Sequence, residues 1–192
     1  MVWMPGSPVE LLTENFVIRS MREQDITQRY ADWWRDPELM AGLSTPYAGH
    51  SVERHRQQLR NQYDNKTKFL IGLFDKSTGK LIGVFFVFTN SFHRVANMTT
   101  IIGERDYWGK NILLELNGAG MDFLFGILGV DKVGGKAMAR NLPTVFINKA
   151  MGLKVEAVLR KEWRMPDGTR ADLLQFGILR EEWEKRRKER SI

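Results

Sequence analysis

Three apolar runs separated by polar turns lie between Phe69 and Ile102: Phe69-Leu-Ile-Gly-Leu-Phe74, Leu81-Ile-Gly-Val-Phe-Phe-Val-Phe88 and Arg94 to Ile102. Their length and their β-branched and aromatic content mark strands, and together they form an antiparallel meander. Asp75-Lys-Ser-Thr-Gly-Lys80 is the hairpin turn between the first two, with Gly79 free to take positive φ. The period then changes. After Tyr107-Trp-Gly-Lys-Asn111, the positions Leu113, Leu116, Phe123, Leu124 and Ile127 keep helical spacing. Lys132 to Met138 reads as a short strand, and Leu142 to Met151 as a helix that Gly152 terminates. Lys154 to Trp163 and Arg170 to Leu179 form a closing hairpin around Met165-Pro-Asp-Gly-Thr169. A meander joined to one strand–helix–strand crossover predicts an α+β fold, with a mixed, mostly antiparallel central sheet flanked by helices.

The first third of the chain supplies helices. Phe16-Val-Ile-Arg19 alternates like a strand, and Asp25 is placed to cap a helix with Ile26, Tyr30, Trp33 and Trp34 on one face. Pro37 closes that helix or opens the next. Ser51 caps another, carrying Val52, Leu59 and Tyr63. Gly118 and Gly120 each weaken the later helix by about 1 kcal/mol relative to alanine, and let it lie close to the sheet. The 192 residues contain no repeat and no low-complexity linker, so a single domain over 1–192 is expected.

Composition removes several classes of function. The chain has no cysteine, which excludes a disulfide framework, a thiolate metal site and a cysteine nucleophile. The longest apolar run, Leu81 to Phe88, is far short of the roughly 20 residues of a membrane helix, and the start shows no signal peptide. A cytoplasmic location without a membrane partner is expected. The net charge of +6 favours anionic partners. Part of it belongs to residues 180–190, where six basic side chains face four acidic ones, and a solvated charged tail over 180–192 is expected. The basic residues do not cluster with interleaved aromatics, so a groove tracking nucleic acid is not indicated.

The chemistry points to Ile101 through Leu116, where a strand ends, Trp108-Gly109-Lys110-Asn111 makes a short loop and a helix starts. Unpaired N–H groups and the helix dipole make such an end a place for an anion, pyrophosphate in particular. Gly109 lets the backbone approach closely, and Lys110 adds a full charge. The spacing is not that of a P-loop, and a plain strand-to-helix connection shares these features.

Ile102-Gly-Glu-Arg-Asp-Tyr-Trp-Gly-Lys-Asn-Ile-Leu-Leu-Glu115 resembles the acetyl-CoA loop of GNAT acyltransferases, nearest to the branch of ribosomal-protein N-acetyltransferases. Asn141 to Leu153, Asp167 to Trp183, Phe16-Val-Ile-Arg19 and Trp34-Arg-Asp-Pro37 also resemble segments of that branch, in the same order. The resemblance implies that acetyl-CoA is the co-substrate, bound between two splayed strands. The backbone of Thr100, Ile101 and Ile102 would pair with its pantetheine arm. Trp108, Gly109, Lys110, Asn111 and Ile112 would cradle its pyrophosphate, and Asn141 would meet the arm. The reaction is direct attack of a neutral amine on the thioester, with no metal and no covalent intermediate.

Three positions depart from the family pattern. Asn111 replaces a second loop glycine, Asn97 stands near a position where relatives carry a Glu, and Asn148 matches a Tyr that protonates the leaving thiolate. His93, just before the same strand as Asn97, is the candidate base by residue type, since histidine is the side chain most often used as a general base. Glu104 beside the loop is expected to cap a turn or pair with Arg105. Trp33, Trp34, Tyr47 and Phe92 fall where this fold builds its acceptor side, although Trp33 and Trp34 share the core face of Ile26. The loop Gly42 to Gly49, with Pro46 and Tyr47, is the candidate acceptor gate. The leading expectation is an N-acetyltransferase acting on a small amine, an amino sugar or a protein N-terminus, as a monomer or homodimer. The alternative is a degenerate GNAT domain that binds acyl-CoA or a partner without turnover.

Overall fold

The computed structural model describes residues 3–43, 49–165 and 167–190. Pro46 and Tyr47 of the expected gate, and Pro166 of the closing turn, lie outside the described residues. The strands are β1 (Glu10–Leu12), β2 (Phe16–Ser20), β3 (Lys68–Asp75), β4 (Leu81–Asn90), β5 (Val95–Ile102), β6 (Lys132–Met138), β7 (Lys154–Arg164) and β8 (Arg170–Leu179). They form one sheet in the order β1-β2-β3-β4-β5-β6-β8-β7. Every pairing is antiparallel except β5 with β6. This is the expected α+β architecture: the meander is β3–β4–β5, and the crossover between β5 and β6 carries a helix.

The helices are α1 (Gln28–Trp33), α2 (Pro37–Ala41), α3 (Val52–Gln62), α4 (Ile112–Asp122), α5 (Leu142–Ala150) and α6 (Arg180–Arg190). Alternation along β3 and β4 sends side chains to opposite faces of the sheet. On one face Leu70, Val84 and Ile101 pack with Tyr30, Trp33 and Trp34 of α1 and its C-cap and Leu39 and Met40 of α2. On the other, Phe69, Ile71, Phe85 and Val87 pack with Leu116 and Met121 of α4 and Trp183 of α6.

Local chemistry explains where elements begin. Asp36 accepts from the amides of Glu38 and Leu39 at 2.9 and 3.3 Å, so Pro37 opens α2 rather than closing α1. Ser51 Oγ caps α3 through the amide of Arg54, as its sequence position implies. Asp25 does not cap α1. It lies in a 3₁₀ turn and clamps Arg19 with two bonds of 2.8 Å, and Thr27 takes the N-cap position. Gly79 and Gly152 have φ of +70° and +90°, the conformations their turn and cap require.

The charged end is helical and largely solvent-facing. Residues 180–190 form α6, whose Trp183 is 3% exposed and donates to Asp122 at 3.0 Å. Arg180 donates to the carbonyl of Phe125 at 2.8 Å, within a π-helical turn (Phe123–Ile127) that extends α4. The half-buried Arg180, Glu182 and Arg186 add polar contacts to the body beside this one aromatic anchor, while Glu181, Glu184, Lys185, Arg187, Lys188 and Glu189 are exposed.

Two glycines record opposite constraints. A Cβ on Gly103 would stand 2.0 Å from Trp33, whereas one on Gly118 would meet nothing within 4 Å. Gly103→Ala is expected to lower unfolding free energy by about 2–3 kcal/mol, and Gly118→Ala to raise it by about 0.5–1 kcal/mol. Urea denaturation of the two variants beside the parent checks both signs.

Candidate active site

The parallel pairing of β5 with β6 is confined to Val95↔Lys132, Ala96↔Val133 and Asn97↔Gly134. Beyond Asn97 the strands diverge, since β5 stays paired with β4 through Ile102 and β6 stays paired with β8 through Met138. Backbone groups alternate sides along a strand. The Ile101 carbonyl faces β4, where a Cβ on Gly83 would lie 2.3 Å from it. The Met98 carbonyl faces the parting, 3.1 Å from where a Cβ on Gly135 would be. By that alternation Thr100 and Ile102 offer backbone groups to the parting and Ile101 does not. Ile101 instead buries its side chain in the helical face.

The loop after β5 is held from several directions. Trp108 donates its indole N–H to the Ile102 carbonyl at 2.8 Å, and Tyr107 donates its hydroxyl to Asp75 at 2.8 Å. Burial, followed by the bond to Asp75, raises the Tyr107 pKa; bonds from Ser77 and Tyr107 hold the Asp75 carboxyl well below its usual range. Gly109 sits at φ +71°. Asn111 does not take up the left-handed conformation: its φ is −71°, and it serves as the N-cap of α4. The Ile112 amide turns back onto the Lys110 carbonyl at 2.8 Å, so it does not belong to an outward-facing cradle. Lys110 Nζ stands 5.4 Å from the Tyr107 ring, at the mouth of the parting.

A cavity of about 890 Å³ opens at this parting. That is within the size range of small-molecule sites, roughly 300–1,000 Å³. One side of it is lined by Thr100, Ile101, Ile102, Trp108, Gly109, Lys110, Asn141 and Asn148. The fold thus brings most of the sequence-selected positions together. Asn141 is held in place there: its side chain caps α5 through the Thr144 amide at 3.2 Å and donates to the Gly42 carbonyl at 2.8 Å.

Asn97, His93, Asn111 and Ile112 fall outside the lining. Asn97 sits at the last paired rung before the strands part. His93 lies beyond the other end of β5 and packs against the ring of Phe92 at 4.9 Å. Seven strand residues put it roughly 20 Å from Thr100. Phe92 is 88% exposed on the same hairpin tip, so it is no part of an acceptor wall. Of the two tryptophans, Trp34 lines the cavity and Trp33 does not.

Glu104 has a larger role than turn capping, and Arg105 is not its partner. Arg105 is bound bidentately by Asp36 and also pairs with Glu38. The Glu104 side chain, 1% exposed, accepts from Arg29 at 2.6 and 2.9 Å, from Lys80 at 2.5 Å and from the Trp33 indole at 3.1 Å. The Arg29 bond, against burial, lowers its pKa to about 2.

Sequence reasoning missed His55. It lies on α3, 6% exposed, and its Nε2 has no hydrogen-bond partner among the described residues. Burial, reinforced by His50 and Arg35 and partly offset by Gln58, lowers its pKa to about 4. A histidine placed four residues after Ser51 on an amphipathic helix was the available signal.

The match to the family model for the acetyltransferase (GNAT) domain spans residues 15–154. The chain belongs to this family. Its relatives include the uncharacterized N-acetyltransferase p20 of Bacillus licheniformis, 24% identical over 184 residues that cover 90% of this chain and 97% of that protein. Among solved structures, the spermidine N-acetyltransferase of Vibrio cholerae in complex with CoA and spermine superposes with a TM-score of 0.82 at 18% identity, covering 90% of this chain and 99% of that one. A GNAT-family acetyltransferase of Bacillus anthracis gives 0.76 at 15% identity, with 90% and 99% covered. Family and relatives point to an N-acetyltransferase.

The depressed Glu104 pKa carries a sign. Its contribution to stability is complete above about pH 4.5, the unperturbed value, and is lost as pH falls toward 2. Glu104→Gln is expected to cost about 2–3 kcal/mol at pH 7 and to flatten the stability profile between those two limits. Denaturant titrations across that pH range check it.

Proposed function

We propose that this chain is an acetyl-CoA-dependent N-acetyltransferase that moves an acetyl group to a primary amine by direct transfer. One observation carries the reading: a single cavity joins the open edge of β5 and the Tyr107–Asn111 loop to a second, aromatic wall built from α1, α3 and β4. The residues present suit a CoA thioester. Thr100 and Ile102 offer strand backbone to an extended amide-bearing arm. Lys110 and the amides of Gly109 and Lys110, which have no protein acceptor among the described residues, suit a pyrophosphate.

Acetyl-CoA supplies the acyl group as a thioester. The neutral amine forms the N–C bond, the C–S bond breaks, and the amine proton is lost as the thiolate gains one. The chain holds the two reactants side by side and excludes water. Such positioning supplies up to about 7–11 kcal/mol of barrier reduction when the geometry is well set. Asn148 lines the cavity and can hydrogen-bond the sulfur end, but its amide does not supply a proton.

The finer expectations rest on sequence motifs. Tyr107-Trp-Gly-Lys110 and Leu179-Arg-Glu-Glu-Trp183 favour the ribosomal-protein N-acetyltransferase-like branch. The reading keeps residues 1–192 as one domain that acts in the cytoplasm without a metal, as a monomer or homodimer.

A second reading, a degenerate domain that binds acyl-CoA without turnover, is favoured by the state of the nearby carboxylates. Glu104 is locked in its ion pairs, and Glu38 is tied to Arg105. Thiol release from acetyl-CoA in the presence of an amine separates the two. Release supports the transferase; binding of acetyl-CoA without release under any amine supports the degenerate domain.

Lys110→Ala is expected to weaken acetyl-CoA binding about tenfold, the value of one charge-assisted contact, with the loss shrinking as salt rises. Calorimetric titration with acetyl-CoA at low and high ionic strength checks it.

A further inference from the structure

The wall opposite the Tyr107–Asn111 loop says what kind of amine the cavity takes. It is built from Tyr30, Trp34, Tyr63, Leu70 and Phe86, with His55 set among them. The rings pack as a continuous surface: Trp34 lies 5.8 Å from Phe86 and 5.9 Å from His55, and Tyr63 lies 6.2 Å from Phe86. In the register of the sheet Phe86 stands opposite Thr99. The surface therefore adjoins the stretch of β5 that faces the parting.

Charge is scarce on this wall. Among the described residues, Glu38 is the one carboxylate lining the cavity, and Arg105 already pairs with it. The other ionisable groups on the lining are the cations Lys110 and Lys136, the tyrosines, His50 and His55. A polyamine would meet no free anion here and would bring its extra charges against an apolar surface, where desolvation is costly.

His55 Nε2 and Trp34 Nε1 are the buried ring nitrogens of this wall that lack a hydrogen-bond partner among the described residues. A buried ring nitrogen without a partner costs about 1–3 kcal/mol. Such a group in a folded protein calls for a reason, and a ligand that completes the bond is one. The groups facing the ring from neighbouring elements are Tyr30 and Arg35 around α1, His50 and Tyr63. With a pKa near 4 the ring is neutral around pH 7, so it can meet a substrate N–H or O–H without adding charge.

Resting on the N-acetyltransferase reading, we propose that the acceptor is an amine on an uncharged aromatic or apolar body, received against the Trp34–Phe86–Tyr63 wall, with His55 Nε2 as its polar contact. His55 is a positioning residue for specificity in this scheme. The proton lost by the amine leaves through solvent.

The experiment compares thiol release from acetyl-CoA with 2-phenylethylamine, spermidine, glucosamine and a charged peptide as acceptors. A kcat/KM at least tenfold higher for 2-phenylethylamine than for any of the others is expected. His55→Phe and His55→Gln, each checked for folding by circular dichroism, should raise the KM for 2-phenylethylamine about tenfold with kcat within threefold. Phe88→Glu, at a 45% exposed position on the cavity lining, should shift preference toward spermidine without a fold defect. Equal or better transfer to spermidine, glucosamine or the peptide overturns the inference and leaves the N-acetyltransferase reading standing. An unchanged KM in both folded His55 variants overturns the role of His55. No thiol release with any amine removes the N-acetyltransferase reading, and the inference with it.

Discussion

The Glu104 carboxylate is the interaction on which the site depends. It directly follows Gly103, the residue after β5, and gathers Arg29 and Trp33 from α1 and Lys80 from the β3–β4 hairpin. Burying a charge is expensive unless it is paired and hydrogen-bonded, and here three donor groups satisfy it. Gly103 leaves room for Trp33 to press onto the backbone at that point. The start of the Tyr107–Asn111 loop is therefore fixed relative to α1, the element that supplies part of the opposite wall. One ion cluster sets the spacing between the two sides of the cavity.

The second constraint is the mismatch of pairings around β5. β4 follows it to Ile102, while β6 leaves it after Asn97 to stay with β8. A sheet that opened elsewhere would expose apolar side chains on both faces. Here α4 crosses the gap closely, with Gly120 against Met98 and Phe85. The opening is kept because the packing on its flanks is complete: Leu116 and Met121 bury one face, and Trp34 and Ile101 the other.

Much of this was legible in the sequence for physical reasons. Strand runs such as Leu81–Phe88, the Ser51 cap and the turn glycines Gly79 and Gly152 announce themselves locally, because burial period and backbone conformation are local properties. The position of the Trp108–Lys110 loop followed from the same logic. What failed depended on distant partners. Asp25 looked like a cap but serves Arg19, and the tie from Asn141 to Gly42, beside the place of Asn141 on the cavity lining, had no signal in the sequence. His93 was near in sequence to β5 and yet at the wrong end of it. His55 gave only the weak signal of its helix position, since its surroundings come from Tyr30 and Trp34, brought to it from another element.

The Asn141 bridge has a topological consequence. Its side chain spans from the cap of α5 to the carbonyl that ends α2, and Asn141 and Gly42 both belong to the cavity lining. The tie joins the start of one helix to the end of another that is distant in sequence, so at this border of the cavity α2 and α5 are held as one piece and a displacement of either end is passed to the other.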